Sequence, residues 1–143
     1  MKNLKLLLLL LYIPIAASCN NDDDTNTPPP VNTTLEGSWK LINISGGFQG
    51  MNQDFEEGLI TWNFDESEGS LTVVNNNPAD VYDALGTGDY LYTVTPVESQ
   101  SCGSTISVTQ NLMIHNFGCM TLNGNNLTMS QIESDGFLLT FKR

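Results

Sequence analysis

Few side chains in this chain could carry out chemistry on a substrate. His115 is the only histidine, and no Ser, Cys or carboxylate stands at a spacing that predicts a catalytic triad or a zinc site with it. Glu56-Glu57 falls in a predicted loop, where charge is expected. Asp65–Gly69 lacks the alternating ligand spacing of an EF-hand and reads as a solvated hairpin turn. We therefore expect a protein other than an enzyme, with no metal and no cofactor.

The first 18 residues have the composition of a signal peptide. Lys2 and Lys5 precede leucines at positions 6 to 11, and small residues follow. Pro14 interrupts the apolar run, which is shorter than the roughly 20 residues that a membrane-spanning helix needs. The segment 1–18 is therefore predicted to be removed on export.

Cys19 is the side chain whose context predicts a covalent modification. It follows Ala16-Ala17-Ser18, and this stretch resembles the lipobox of bacterial lipoproteins, although Ala16 replaces the usual Leu. The resemblance implies that Cys19 carries a diacylglycerol and a fatty acyl chain such as palmitate, and anchors the protein in a membrane. An ordinary cysteine beside a cleavage site is the alternative; it would leave a reactive exposed thiol in an oxidising compartment.

Residues 19–33 are predicted to form a flexible tether. They contain Asp22-Asp23-Asp24 and Pro28-Pro29-Pro30 but no large apolar cluster that could form a core. The acidic run resembles the lipoprotein export signal of Bacteroidetes, which implies an outer-membrane lipoprotein displayed at the cell surface. A solvated linker within the cell envelope is the other interpretation, and the sequence leaves both open.

Residues 34–143 are long enough for one domain. Their only basic residues are Lys40, Lys142 and Arg143, against many carboxylates, which excludes nucleic acid as a partner because phosphate binding needs clustered Lys and Arg. Short segments of alternating polar and apolar residues, separated by turn residues, predict an all-β fold: an up-and-down antiparallel β-barrel of about eight strands. The predicted strands are Leu35–Ser45, Leu59–Phe64, Ser70–Asn75, Tyr90–Val97, Thr105–Thr109, Leu112–Leu122, Asn126–Gln131 and Phe137–Arg143.

Turn residues suggest the pairing of these strands. Asp65–Gly69, Gln110-Asn111, Asn123-Gly124 and Ser134-Asp135-Gly136 are predicted to form tight connections, which would place Met120 opposite Leu127 and Met129 opposite Phe141. The segment Gly46–Gly58 is long for a hairpin loop, so we expect it to cover one mouth of the barrel.

Gly37-Ser38-Trp39 on the first strand resembles the Gly-x-Trp signature of lipocalins, and the chain resembles small lipocalin-like lipoproteins of Bacteroidetes. The resemblance implies a calycin-type barrel in which Trp39 closes one end and is crossed by Arg143. The chain has no counterpart of the Thr-Asp-Tyr turn of lipocalins, and the domain is shorter than theirs.

With Cys19 assigned to a lipid, Cys102 and Cys119 remain and are expected to form a disulfide. An inward orientation of Met120 and Leu122 would turn Cys119 outward unless Gly118 marks a bulge, so the register there stays open.

Two functions fit this domain. The first is binding or carrying a small apolar ligand as a monomer. The alternative is a filled structural barrel that acts as an interaction or inhibitor module for another envelope or host protein. The residues expected to line a cavity are Trp62, Phe64, Tyr90, Tyr92, Val94, Phe137, Leu139 and Phe141.

Overall fold

The computed structural model describes residues 34–98, 101–131 and 135–143. These residues contain strands and turns and no helix, and accordingly none that could cross a membrane. The predicted signal peptide, Cys19 and the tether lie outside the described residues. The strands are β1 (Gly37–Gly46), β2 (Met51–Asp54), β3 (Ile60–Asp65), β4 (Ser70–Asn75), β5 (Gly88–Pro96), β6 (Ser104–Gln110), β7 (Met113–Asn123), β8 (Asn126–Ser130) and β9 (Phe137–Lys142).

The sheet closes into an antiparallel barrel of eight strands. Each strand from β3 to β8 pairs with the next one along the chain, and β1 closes the ring by pairing with both β3 and β9. β2 is an additional strand that pairs with the second half of β1, from Asn43 to Gly46. The predicted all-β, up-and-down barrel is therefore confirmed, and closure leaves its main strands without a long free edge.

β2 corrects the prediction that Gly46–Gly58 is a loop over a barrel mouth. Gly47 and Gly50 have φ angles of 71° and 66°, and they allow the chain to reverse tightly after β1. The returning strand then bonds along β1, and the Phe55 amide donates to the Ile42 carbonyl at 3.0 Å. Backbone pairing with β1 holds this segment against the wall of the barrel.

The barrel interior is filled from every strand of the ring. Trp39, Leu41 and Ile44 come from β1, and the alternating pattern of the other strands adds the remaining apolar side chains. The buried cluster is Leu35, Trp39, Leu41, Ile44, Phe55, Ile60, Trp62, Phe64, Leu71, Val73, Leu85, Tyr90, Ile106, Val108, Phe117, Leu127, Met129, Leu139 and Phe141.

A β-bulge in β7 resolves the register that the sequence left open. Ile106 lies opposite Gly118, and Ser107 lies opposite Asn116, so Phe117 is an extra residue in its strand. The bulge lets Phe117 join the buried cluster. Met120 also packs against this cluster, so the alternating Cys119 faces the outside of the barrel.

Two predicted turns are displaced by one residue. The β6–β7 turn is Asn111-Leu112, so Gln110 pairs with Met113. The β7–β8 turn is Gly124-Asn125, so Leu122 lies opposite Leu127. Gly124 has a φ of 59° and Asn125 has no positive φ, which is the backbone pattern of a type II′ hairpin, whereas an Asn-Gly turn favours type I′.

The register between β8 and β9 also differs from the prediction. Met129 lies opposite Leu139, and Phe141 lies opposite Leu127. A shift by two residues keeps Met129 and Phe141 on the buried face, because side chains alternate with a period of two. Ser134 of the predicted loop is outside the described residues.

The bulge at Gly118 gives a test of the fold. Its φ is 73°, and an added Cβ would overlap the Ser130 carbonyl oxygen. We expect Gly118→Ala to lower the free energy of unfolding by about 3 kcal/mol, from left-handed strain and overpacking together. Gly124→Ala is the matched control: its φ is 59° with open space around it, so about 1 kcal/mol is expected. Urea denaturation measures both, and equal losses would contradict the close packing of the bulge.

Candidate functional site

The two ends of the barrel are built differently. Because the strands alternate in direction, the connections alternate between ends. The lower end, where β1 begins, holds residues 34–36, the β3–β4 turn, the β5–β6 connection, the β7–β8 turn and Arg143. The upper end holds the β1–β2 turn, the β4–β5 loop (residues 76–87), the β6–β7 turn and the β8–β9 connection.

Trp39 and Arg143 seal the lower end. The Trp39 side chain is fully buried, and its indole Nε1 donates to the Leu35 carbonyl at 2.8 Å. The Arg143 guanidinium carbon lies 4.3 Å from the centre of the Trp39 ring. Its Nη2 donates to the carbonyl oxygens of Thr34, at 2.9 Å, and Glu36. Arg143, which follows β9, therefore crosses Trp39 and is bonded to the start of the domain. The lipocalin resemblance implies this contact between Arg143 and Trp39.

Gly37 begins β1 just before this tryptophan. Its φ of 95° lies in a region that residues with a Cβ rarely adopt. The glycine of the Gly-x-Trp signature therefore allows the backbone to adopt this positive φ at the start of β1.

Two carboxylates close the same end from the other side. The Glu66 amide donates to Glu36 Oε2 at 2.7 Å, and the Leu35 amide donates to Glu66 Oε1 at 2.8 Å. These reciprocal bonds fix the start of the domain to the β3–β4 turn. Burial raises the pKa of the nearby Tyr92 hydroxyl, and the negative charges of Glu66 and Glu36 add to this shift.

An aromatic cluster centred on Trp62 occupies the middle of the barrel. The ring centroids of Phe141, Phe117 and Phe64 lie 5.0, 5.3 and 6.2 Å from that of Trp62. Such tilted and edge-on pairs add to the stability gained from burial alone. The Trp62 indole Nε1 is buried and has no acceptor among the described residues. A buried donor without a partner is unusual and costs stability.

The structure brings together most of the residues expected to line a cavity. Trp62, Phe64, Leu139 and Phe141 are fully buried, and Tyr90 is nearly so. Tyr92 and Phe137 are half-buried and pack against the buried cluster. Val94 stands apart, because it lies on the lower part of β5, beyond the residues that pair with β4, and is 37% exposed.

The β4–β5 loop covers the upper end. Leu85, 3% exposed, projects from this loop into the buried cluster. The side-chain amide of Asn75 holds the loop by donating to Asp83 Oδ2 at 2.7 Å and to the Leu85 carbonyl at 2.9 Å. The Tyr90 hydroxyl donates to the Gly86 carbonyl at 2.8 Å. Leu85 is therefore the one buried side chain through which this polar loop covers the upper end.

The backbone beside that leucine is strained. The Leu85 amide donates to the Asp83 carbonyl at 3.0 Å, and Ala84 between them has a φ of 71°. This is a γ-turn of the rare type with a positive central φ. Such strain persists only where surrounding contacts hold it, and it is found at ligand clamps and switch regions.

Tyr82 of the same loop provides a second contact with the barrel. Its ring stacks on Phe137 with centroids 4.3 Å apart and planes 24° from parallel. Burial, and to a lesser degree the charge of Asp83, raises the pKa of the Tyr82 hydroxyl. The loop is thus attached by Leu85 inside the barrel and by Tyr82 at its rim.

The disulfide between Cys102 and Cys119 is present, with the Cα atoms 5.6 Å apart. Neither cysteine belongs to the buried apolar cluster, which agrees with the outward orientation of Cys119. Cys102 lies in the β5–β6 connection, so the bond fastens this connection to the outside of β7. Closing a loop of this length stabilises a fold by about 3 kcal/mol in the chain-entropy model.

The remaining polar candidates have ordinary surroundings. His115 is partly exposed and stacks on Phe117, with the ring centroids 6.4 Å apart. Glu57 pairs with Lys40 at 2.6 Å, and the hydrogen bond and charge of Lys40 lower the pKa of Glu57. Asp65 accepts from the Ser67 hydroxyl and the Glu68 amide, as in a hairpin turn, and these bonds lower its pKa. In the described ranges, no group of three His, Cys, Asp or Glu side chains converges as metal ligands would.

Sequence reasoning missed the covering role of Leu85 and the unpartnered indole nitrogen of Trp62. Ala84-Leu85 is an apolar pair within a mainly polar loop. An apolar residue in such a loop indicates a side chain that turns inward. The missing acceptor of Trp62 has no signal in the sequence, because it depends on which groups lie opposite across the barrel.

The lower end yields a prediction. We expect Arg143→Ala to reduce the free energy of unfolding by about 2 kcal/mol, because it removes the cation–π contact and hydrogen bonds from a charged donor. Trp39 emission should change at the same time. Lys142→Ala is the matched control, since Lys142 is an exposed neighbour of the same charge. Comparable losses in the two variants, measured by urea denaturation, would rule out a specific role for Arg143.

No family model matches the chain, and the searches of curated proteins and of solved structures return no significant match.

Proposed function

We propose that this chain is a cell-envelope lipoprotein, anchored through acylated Cys19, whose lipocalin-like barrel binds a small, mainly apolar ligand. The observation that carries the ligand proposal is the closure of the upper end by Leu85 on a strained loop. A single side chain held by a loop is displaced at lower cost than a paired strand, because few backbone hydrogen bonds must break.

The unpartnered indole nitrogen of Trp62 supports the same proposal. An apolar ligand with one acceptor oxygen, such as a fatty acid or a ketone, would satisfy this donor inside the barrel. Ligand sites in proteins are mostly apolar with a few polar groups that fix orientation. The ligand would enter at the upper end and displace Leu85.

The position of residue 34 supports the membrane orientation. The described chain begins at the lower end, beside Trp39 and Arg143. A tether from a lipid at Cys19 would join the barrel at the lower end, opposite the covered mouth. Attachment there would leave the covered mouth free for a ligand or partner.

A second candidate function is the filled barrel that serves as an interaction module. The observation that favours it is the complete burial of Trp39, Trp62, Phe64, Phe117 and Phe141. Five large aromatic side chains occupy much of the interior of an eight-stranded barrel. In this function the interior supplies stability and the surface binds a partner.

The anchor is tested by Cys19→Ser. Wild-type protein should sediment with membranes after washing with high salt and should yield an acylated N-terminal cysteine by mass spectrometry. The variant should be released, because it lacks the acceptor thiol. The paired variant Cys102→Ser/Cys119→Ser serves as control and should stay with the membrane. Recovery of Cys19→Ser protein in the membrane fraction at the wild-type level would contradict a lipid anchor.

The ligand site is tested with a fluorescent fatty acid and with the same fluorophore lacking the acyl chain. We expect the fatty acid to bind and the free fluorophore not to bind. Trp62→Phe should weaken fatty-acid binding roughly fivefold, the loss expected for one hydrogen bond. Leu85→Ala should speed entry of the probe.

Val74→Ala is the matched control for these variants, since Val74 is 44% exposed on the outside of β4. It should leave binding and entry unchanged. Absence of fatty-acid binding to the wild-type protein would end the ligand proposal in favour of the filled barrel. Binding that Trp62→Phe leaves unchanged would remove Trp62 from the site.

A further inference from the structure

The β6–β7 turn exposes apolar side chains at the upper end. Leu112, Met113 and Ile114 are 96%, 64% and 71% exposed. Three consecutive apolar residues at a hairpin tip gain nothing from folding, because they stay in water. Asn111 and Leu112 also have positive φ angles, 49° and 68°. Asn tolerates this conformation, but for Leu it costs about 1 kcal/mol.

Leu91 extends the same apolar surface across two strands. Thr109 of β6 lies opposite Leu91 of β5 on one side and opposite Ile114 of β7 on the other. Directly opposed residues share a face of the sheet, and Val108, the neighbour of Thr109, is buried. Leu91, which is 62% exposed, therefore lies with Ile114 on the outside of the barrel. Met113 lies opposite Gln110 and therefore on the other face of the hairpin. We call Leu91, Leu112 and Ile114 the tip patch.

Grouping of this kind distinguishes the tip patch from ordinary exposed apolar residues. Single exposed apolar residues are normal, but a contiguous group marks an interaction site. The tip patch contains three of the most exposed large apolar side chains, whereas Phe48, 88% exposed, belongs to the separate β1–β2 turn. Neither packing nor turn chemistry explains a leucine at position 112, and this agrees with a role in binding.

The charge around the tip patch is negative. Asp89 stands two residues before Leu91 on the same face of β5, where its carboxylate accepts from the Thr72 hydroxyl at 2.9 Å. Asp80, Asp83 and Asp135 belong to other connections of the upper end. Among the residues that the structure describes, the basic ones all lie toward the lower end: Lys40 opposite Lys142, and Arg143 over Trp39.

Carboxylates without a basic side chain among the described residues of this end determine which occupant fits. A second copy of the chain would bring the same carboxylates against the patch, and an anionic lipid surface would also be repelled. A cationic surface would be attracted, and its apolar side chains would cover the leucines. We propose that the tip patch is the docking surface for a protein partner whose binding segment combines apolar side chains with Lys or Arg. This surface is independent of any ligand inside the barrel.

Three labelled synthetic peptides test the proposal by fluorescence anisotropy with the full-length protein. One alternates Leu and Lys, one alternates Leu and Glu, and one alternates Ser and Lys. We expect the Leu–Lys peptide to bind more tightly than either of the others. Its affinity should fall as salt is added, since the carboxylates contribute through screened attraction.

Two variants locate the binding. Leu112→Asn with Ile114→Thr should weaken binding of the Leu–Lys peptide by about tenfold or more, the scale of losing buried anchor residues. Phe48→Ser is the matched control and should leave the affinity unchanged. Leu112→Asn alone should raise the melting temperature by a few degrees, since Asn adopts a positive φ at lower cost. A gain of stability with a loss of binding separates a docking role from a structural one.

The opposite results overturn the proposal. Equal affinities of the tip variant and the wild type for the Leu–Lys peptide would show that the peptide binds elsewhere. Equal binding of the Leu–Glu peptide would show that the charge argument is wrong. Self-association in sedimentation, or binding to phosphatidylglycerol vesicles, that the tip variant abolishes would assign the patch to a second copy or to a membrane instead.

Discussion

Closure of the sheet between β1 and β9 is the constraint on which the rest of the barrel depends. Leu41 lies opposite Phe141 and Ile44 lies opposite Leu139, and the register shifts between these pairs. The shift makes Ile42 an extra residue in β1. Without it, strict alternation would turn Ile44 outward and Asn43 into the core. The bulge thus allows β1 to bury Trp39 and Leu41, which precede it, and Ile44, which follows it, on the same inner face.

Closure also fixes what the two ends can do. The lower end brings the first and last described segments together, and Arg143 and the Glu36–Glu66 bonds hold them. Opening this end would expose Trp39 and separate the termini of the domain. In the described part of the chain, the upper end has no cation–π contact of this kind and is covered by the β4–β5 loop. Local opening is therefore expected at the upper end, because fewer buried contacts are lost there.

The sequence predicted the strands well because period-two alternation is a direct consequence of one face being buried. The bounds of every strand of the ring lie within two residues of the predicted bounds. β2 was not predicted, because four residues are too few to show the alternating pattern. Turn positions were less predictable. Asn123-Gly124 favours one hairpin type locally, but pairing Leu122 with Leu127 and Met120 with Met129 selects the neighbouring position.

The candidate site could be predicted only in part, for a different physical reason. Burial of Trp62, Phe64 and Phe141 follows from alternation. The inward position of Leu85 and the missing acceptor of Trp62 depend on contacts between segments distant in sequence. A leucine with positive φ at the β6–β7 turn runs against local preference, so no propensity argument could have placed it there.

The distribution of backbone strain separates the two ends further. Within the described ranges, the residues other than glycine with positive φ are Ala84, Asn111, Leu112 and Asp135, and all belong to connections of the upper end. At the lower end, the positive φ angles fall on Gly37, Gly69 and Gly124, which adopt them without strain. The upper end also uses glycine, at Gly47 and Gly50, yet it retains a strained alanine beside Leu85 and a strained, exposed leucine in the tip patch. Because such strain is stored where the backbone serves a purpose besides stability, the upper end is where we expect ligands and partners to act, and the lower end is where the barrel gains its stability.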